Sequence, residues 1–555
     1  MKKFDFLTLF LIGSLYTVGL FHEFIACVAG VILCIYLSIY VYRNKKLNIY
    51  INVSSIAICL ISLFYGVSCF WALDSGLAFF GFLKFLPLFL FLLVLMQQQK
   101  SVEEYFEIIP YIASIMVVVS AVLMQIPALT KWFSVAGRLS GFFQYSNTFA
   151  LFLLMSLIIL ATKENYAKID LLLVPVILFG IIYSGSRTVF VLMVVSVLAL
   201  IIFNKNKKYK FILFGGVLAV VGFAILYATI TDNFSSIGRF LTLSLKESTF
   251  VGRLLYFQDA LPVILKHPFG MGYLGYHYYQ HSIQTGVYTV KFIHNDFLQL
   301  MLDIGWIPVI IFVIAILKSF FKKDASLQKR LLILVVSAHT CFDFNFQYVA
   351  IFMLFVMLLD YKDGNKKEII VAQPLNTIIA IILSFTFVYV GIAQMLTYFE
   401  NYDISNKLYP WNTENHMAIL SESSELSGKE KLADQVIANN GYLALAYDVK
   451  AKIAYSKGDF SKVIEYKEKS IETSPFTYSS YEDYCYMLIN GIYLYEKYND
   501  EYSADICKKE LVLAAQKLSE NSENLSELGK MIKDQPRVHL PDEIIEYIEE
   551  LDYEK

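Results

Sequence analysis

Arg138 in GRLSGFFQYSN, Arg187 in SGSRT, Arg253 in VGRLLYFQDA and His294 in KFIHNDFLQLMLDIG each stand beside the end of an apolar segment. Asn295 follows His294 directly, and His339 and Asp343 lie close together in SAHTCFDFNFQY. Taken singly, each has an ordinary explanation. A lone interfacial arginine carries its head to lipid phosphates, and a histidine within a helix packs with one satisfied hydrogen bond. Taken together they suit a definite chemistry, because ionisable groups at membrane depth are costly and usually functional. The planar guanidinium fork binds phosphate oxygens two at a time and stays charged. Two or three such groups could hold a diphosphate and stabilise the charge that develops as it leaves. A histidine can take a proton from a hydroxyl at neutral pH. The set therefore describes transfer from a lipid-diphosphate donor to an alcohol acceptor. No Asp-x-Asp pair stands on that side to hold a divalent ion, and the arginines can do its work, so neither metal nor cofactor is expected.

The elements that must position these residues are apolar helices. Of 555 residues, 57% are hydrophobic and 17% charged, with a mean hydropathy of +0.55. Soluble chains carry about 25% charged residues, so lipid-facing side chains replace much of the surface here. The net charge of -2 is uninformative as a total, because the charges are segregated along the chain. No nucleic-acid binding follows from it. The seven cysteines lack metal spacing; Cys27, Cys34, Cys59 and Cys69 read as small buried hydrophobes, and Cys485 and Cys507 could pair. Met1-Lys2-Lys3 leads into an apolar run without an evident cleavage site, which argues against a removed signal peptide.

The fold class expected is all-α: a polytopic transmembrane bundle of about 12–13 spans, then a soluble helical domain. Spans fall near 4–20, 24–42, 49–69, 76–96, 107–126, 145–162, 169–184, 188–203, 209–229, 304–321, 331–346, 347–360 and 375–396. The stretch 331–360 reads either as two short spans meeting at Asp343 or as a re-entrant hairpin. Lysine and arginine clusters occupy every second short loop: Lys2 and Lys3; Arg43, Lys45 and Lys46; Lys100; Lys163 and Lys168; Lys205 to Lys210; Lys318 to Arg330; and Lys362 to Lys367. That side is the cytoplasm. It puts the N-terminus inside the cell, and the chemistry-bearing residues, a long loop about 230–293 and the C-terminal domain outside it. The glycines of HPFGMGYLGY, Gly270, Gly272 and Gly275, mark tight turns in that loop.

The order of motifs resembles the O-antigen ligase and polymerase superfamily of bacterial membrane glycosyltransferases. It rests on WALDSG (71–76), RLSGFFQYSN (138–147), SGSR (184–187), Arg253 with QDAL after it, HPFGMGYLGY (267–276), HNDFLQLMLDIG (294–305) and HTCFDF (339–344), and covers about residues 1–400. The resemblance implies metal-independent, inverting transfer of a glycan from undecaprenyl diphosphate at the extracytoplasmic face of a bacterial plasma or inner membrane. In it Arg187 and Arg253 match the diphosphate-binding arginines and His294 the general base. Arg138 matches a recurring arginine and Asp343 a family position of unassigned role, with Asn295 and His339 in support. The acceptor does not come with the fold: glycan, wall and protein all remain open, as does polymerase against ligase.

Residues 401–555 read as a separate soluble helical domain. The stretch 443–475 fits one tetratricopeptide-like unit, with Ala451 and Ala454 in the first helix, Gly458 and Phe460 at the turn, and Val463, Ser470 and Pro475 in the second helix and its stop. A docking or acceptor-guiding role, with a protein partner, is the expectation for it. The alternative from another class is a transporter or flippase of lipid-linked oligosaccharide. That would need mid-membrane charges and two symmetric halves, whereas here the polar groups gather at one face and Lys84 is the exception.

Overall fold

The computed structural model describes residues 5–163, 167–203, 222, 248–422, 428–532 and 539–553. The expected span 209–229, the lysines at 205–210 and the start of the 230–293 loop lie outside them. The chain is all-α; the described sheet comprises two short antiparallel pairings, Lys46–Ile51 with Asn365–Ile370 and Ser134–Val135 with Arg138–Leu139.

Four segments are long and apolar enough to cross a membrane: Glu23–Asn44, Ser75–Gln97, Val102–Leu123 and Gln373–Tyr398. At 1.5 Å per residue the last is about 39 Å long, enough for a hydrocarbon core of about 30 Å even when tilted. Shorter apolar helices, Phe6–Tyr16, Val53–Ser68, Ser146–Ala161, Arg187–Phe203, Trp306–Phe321 and Val349–Leu358, join them among the described residues, as do Lys168–Ser184 and Leu327–Thr340. Local capping sets several starts. Asp5, Asn52 and Asp74 each accept a hydrogen bond from a backbone N–H in the first turn of the helix that follows, Asn52 in a full capping box with Ser55.

The helices alternate between two ends of the bundle. One end collects lysines: Lys46 pairs with Glu368, Lys100 with Asp5, Lys163 with Asp170, Lys322 with Asp363 and Lys329 with Asp360. The stretch 331–360 forms a hairpin on this end. Leu327–Thr340 rises from it and Val349–Leu358 returns to it, every residue of the second helix being buried. At 14 and 10 residues these helices measure about 21 and 15 Å, shorter than a full crossing. Asp343 sits in the turn at their tip.

The opposite end holds the long loop and the tail. Helix Ser248–Lys266 packs against Asp296–Ile304, and backbone bonds sew the turn 267–275 to that helix and to the loop after Val53–Ser68: Met271 N to Leu302 O (2.7 Å), Gly272 N to Asp303 O (3.0 Å) and Leu73 N to Met271 O (2.9 Å). Gly270 and Gly272 have positive φ, as their tight-turn assignment requires, while Gly275 does not and starts a short helix. A Cβ on Gly272 would lie 2.4 Å from that of Ala72, so the turn closes directly on the WALDSG segment.

Beyond Gln373–Tyr398 the tail is a run of antiparallel helices, among them Lys429–Asn439, Ala444–Ser456, Phe460–Thr473, Tyr478–Lys497 and Glu501–Glu523. Gly458 takes positive φ in the turn between the second and third of these, and Ala451, Ala454, Phe460, Val463 and Ser470 are buried. Packing does not break at residue 400. Tyr409, Leu420, Val436 and Val449 join the apolar core of the membrane bundle, and a second core begins at Ala454.

Candidate active site

Asp343 is the hub. Its side chain is 3% exposed, and five groups converge on it from four separate stretches of chain. Tyr145 donates its hydroxyl at 2.8 Å, Asn147 its amide at 2.7 Å and Phe344 its backbone N–H at 3.0 Å. His294 Nδ1 faces Oδ1 at 3.3 Å and Arg253 Nη2 faces Oδ2 at 3.6 Å. Burial by itself would raise this carboxyl. The bond from His294 and the charges of His294 and Arg253 outweigh it and hold the group below the usual carboxylate range.

The network continues from Asn147. Its side-chain oxygen accepts from Arg138 Nη2 at 2.6 Å, and Arg138 Nε donates to the Ser184 carbonyl at 2.6 Å. Ser184 is the last residue of its helix, Gly185 caps it in the left-handed region (φ 59°), and Arg187 opens the next helix. A lone C-terminal carbonyl needs a donor, and Arg138 supplies it. One continuous chain of bonds thus runs from the turn that precedes Arg187, through Arg138, Asn147 and Asp343, to Arg253 and His294. The turn before Arg187 is tied into this corner through the Ser184 carbonyl, and Arg138, Arg253, His294 and Asp343 are linked through their side chains.

Local structure explains the presentation of His294. It holds φ 54°, uncommon for a residue with a Cβ, and precedes Asn295, whose side chain accepts from Leu298 N at 3.1 Å to cap Asp296–Ile304. Strain of this sort persists where surroundings over-determine it. Here they include the carboxylate on Nδ1 and the rings of Phe344 and Tyr256, with centroids 5.0 and 6.4 Å away. A carboxylate on Nδ1 fixes the proton there and leaves Nε2 as the basic nitrogen. Asn295 is therefore accounted for as a helix cap. His339 is fully buried one layer below: its Nδ1 meets Asn345 Nδ2 at 2.8 Å, and Asn345 accepts from Thr148 at 3.0 Å, which makes it a packing group between two helices.

Sequence reasoning passed over Tyr145 and Asn147, although both stand in the QYSN motif that carries Arg138. It also passed over Glu23. Lys84 has no exposed side-chain surface and bonds Glu23 (3.3 Å) and Tyr273 (3.0 Å), with Phe21 and Phe292 rings around it. The signal was available: a lysine inside an apolar run demands a partner. Glu23 opens its helix at the site end, and Lys84 reaches it from near the middle of Ser75–Gln97.

Residues 172–313 match the family model described as O-antigen ligase. The match takes in Arg187, Arg253 and His294 and stops before Asp343 and the tail. No curated protein and no solved structure matches the chain. An activity of ligase or polymerase type goes with that domain. The chain thus carries an O-antigen ligase domain over residues 172–313, set among apolar helices long enough to cross a membrane.

Proposed function

We propose that the protein is a glycosyltransferase that moves a glycan from undecaprenyl diphosphate to an acceptor hydroxyl at the extracytoplasmic face, in surface polysaccharide synthesis. The observation that carries this reading is the meeting of Arg253 and His294 on one buried carboxylate, with Arg138 bonded to the same cluster through Asn147. Arg187 and Arg253, with Arg138 behind them, hold the diphosphate. His294 Nε2 takes the acceptor proton as the hydroxyl attacks the anomeric carbon, the glycosyl–phosphate bond breaks, and the electron pair leaves on undecaprenyl diphosphate. Attack from the face opposite the leaving group inverts the anomeric centre. Asp343 stabilises the imidazolium that forms. Guanidinium groups neutralise the leaving diphosphate, so the step needs no metal.

The lysine end faces the cytoplasm in this reading, because basic residues in short loops set orientation. The N-terminus lies there, and the site and the tail lie outside. A glycan chain, a wall polymer or a protein serves as acceptor. The test is purified protein in liposomes loaded with polyprenyl-diphosphate glycan and a candidate acceptor. New glycosidic product is the expected outcome; glycolipid translocation without product overturns the proposal.

A further inference from the structure

The C-terminal tail touches the site end at two places, and both contacts lead to proposed site residues. At the first, Tyr409 donates to the Gly76 carbonyl at 3.0 Å, Thr413 bonds the Asp74 carboxylate, and Glu414 pairs with Lys291 at 3.1 Å, three residues before His294. The second lies more than a hundred residues later. Ser526 N donates to Thr285 O at 2.9 Å, the Ser526 and Thr285 hydroxyls meet at 3.0 Å, and Gly529 packs so closely that a Cβ there would stand 2.8 Å from the Thr285 carbonyl oxygen.

Thr285 is not an isolated surface residue. Its N–H and hydroxyl donate to the Asp259 carboxylate at 2.9 and 2.7 Å, and Tyr288 adds a third bond at 2.9 Å. Asp259 is 5% exposed and lies on Ser248–Lys266, the helix that carries Arg253. The segment 285–294 that receives these bonds ends in His294. Asp259 thus joins the arginine's helix to the histidine's loop, and the tail clips onto the joint.

We infer that the C-terminal helices are a positioning element of the active site: by gripping Thr285 and Lys291 they set the spacing between Arg253 and His294. This rests on the transfer reading above and goes beyond it, since the tail then acts on the rate of chemistry rather than only on acceptor docking. The family match does not reach the tail, so the role belongs to this chain's own residues. Small displacements of reacting groups are expensive, about a hundredfold per ångström.

The test uses the full-length protein in donor-loaded liposomes. Gly529→Val pries the second contact open; kcat should fall about ten- to a hundredfold while donor KM stays within about twofold. The pair Thr285→Cys and Ser526→Cys guards against a folding defect: slow when reduced, it should regain rate when oxidised to a disulfide, with the wild type under the same oxidant as control. Wild-type kcat in Gly529→Val, or equal rates for the reduced and oxidised pair, overturns the positioning role. A wild type that makes no product overturns the transfer reading and this inference with it.

Discussion

At the scale of single residues, Asp343 carries most of the account. It is the only group that touches both Arg253 and His294 among the bonds described, and its charge decides which imidazole nitrogen holds the proton. Asp343→Asn keeps the size and could still bond Tyr145, but an amide offers His294 a donor as readily as an acceptor. By analogy with carboxylate-to-amide changes behind other catalytic histidines, transfer should drop about 10²- to 10⁴-fold with membrane insertion intact. Initial rates in liposomes check this, and a loss of less than about threefold would remove Asp343 from the mechanism. The hub was half legible in the sequence. Asp343, Arg253 and His294 could be singled out because charges near apolar ends are conspicuous. Tyr145 and Asn147 could not, because a tyrosine and an asparagine at a helix start are ordinary caps and interface residues until a partner from 196 or more positions away is in view.

Helices and turns are the scale at which Arg187 belongs. No apolar pattern says that Arg138 will hold the last carbonyl of Lys168–Ser184, yet that bond places the turn from which Arg187 emerges. Arg138→Ala should therefore slow transfer by tenfold or more, about the cost of one charge-assisted hydrogen bond. Pairing it with Arg187→Ala shows the coupling: the double variant should be little worse than Arg187→Ala alone, and full additivity would separate the two arginines. Gly272 makes a second prediction at this scale. Its φ of 81° and its closeness to Ala72 leave no room for a methyl group, so Gly272→Ala should cost about 2 kcal/mol and lower the melting temperature in detergent. An unchanged melting temperature would show that the turn can open. The spans near 24–42, 76–96 and 375–396 were readable because uniform apolarity over twenty residues has one physical solution. The hairpin 327–358 was not, since two short apolar helices and two short spans share one composition.

Across the whole molecule, the loop that carries His277 and His281 adds a pH limit. Burial lowers the His281 imidazole to about 4, with His277 beside it pushing the same way against a bond to Gln284, and burial lowers His277 as well. In the unfolded chain a histidine titrates near 6.5. Between about pH 6.5 and 4 the unfolded chain takes up protons that the native loop refuses, so stability falls as pH falls through that window and is level above it. Asp343, lowered below the usual carboxylate range, adds its own loss only below about 3.8. The melting temperature should thus be lower at pH 5 than at pH 7, with a smaller drop in His281→Gln; a flat profile would contradict the buried neutral state. The two ends of the bundle were legible from lysine spacing, whereas the tail's grip on the loop was not, because single hydrogen bonds across hundreds of residues leave no periodic trace. What the molecule as a whole achieves is to bring one guanidinium and one imidazole from distant stretches of chain onto a shared carboxylate, with a second guanidinium joined to it through Asn147. The most direct measurement of its purpose is the initial rate of glycan transfer by His294→Gln in donor-loaded liposomes, read beside donor binding. A fall of about 10²- to 10⁴-fold with donor binding retained is the predicted result, and a rate within about twofold of wild type would contradict it.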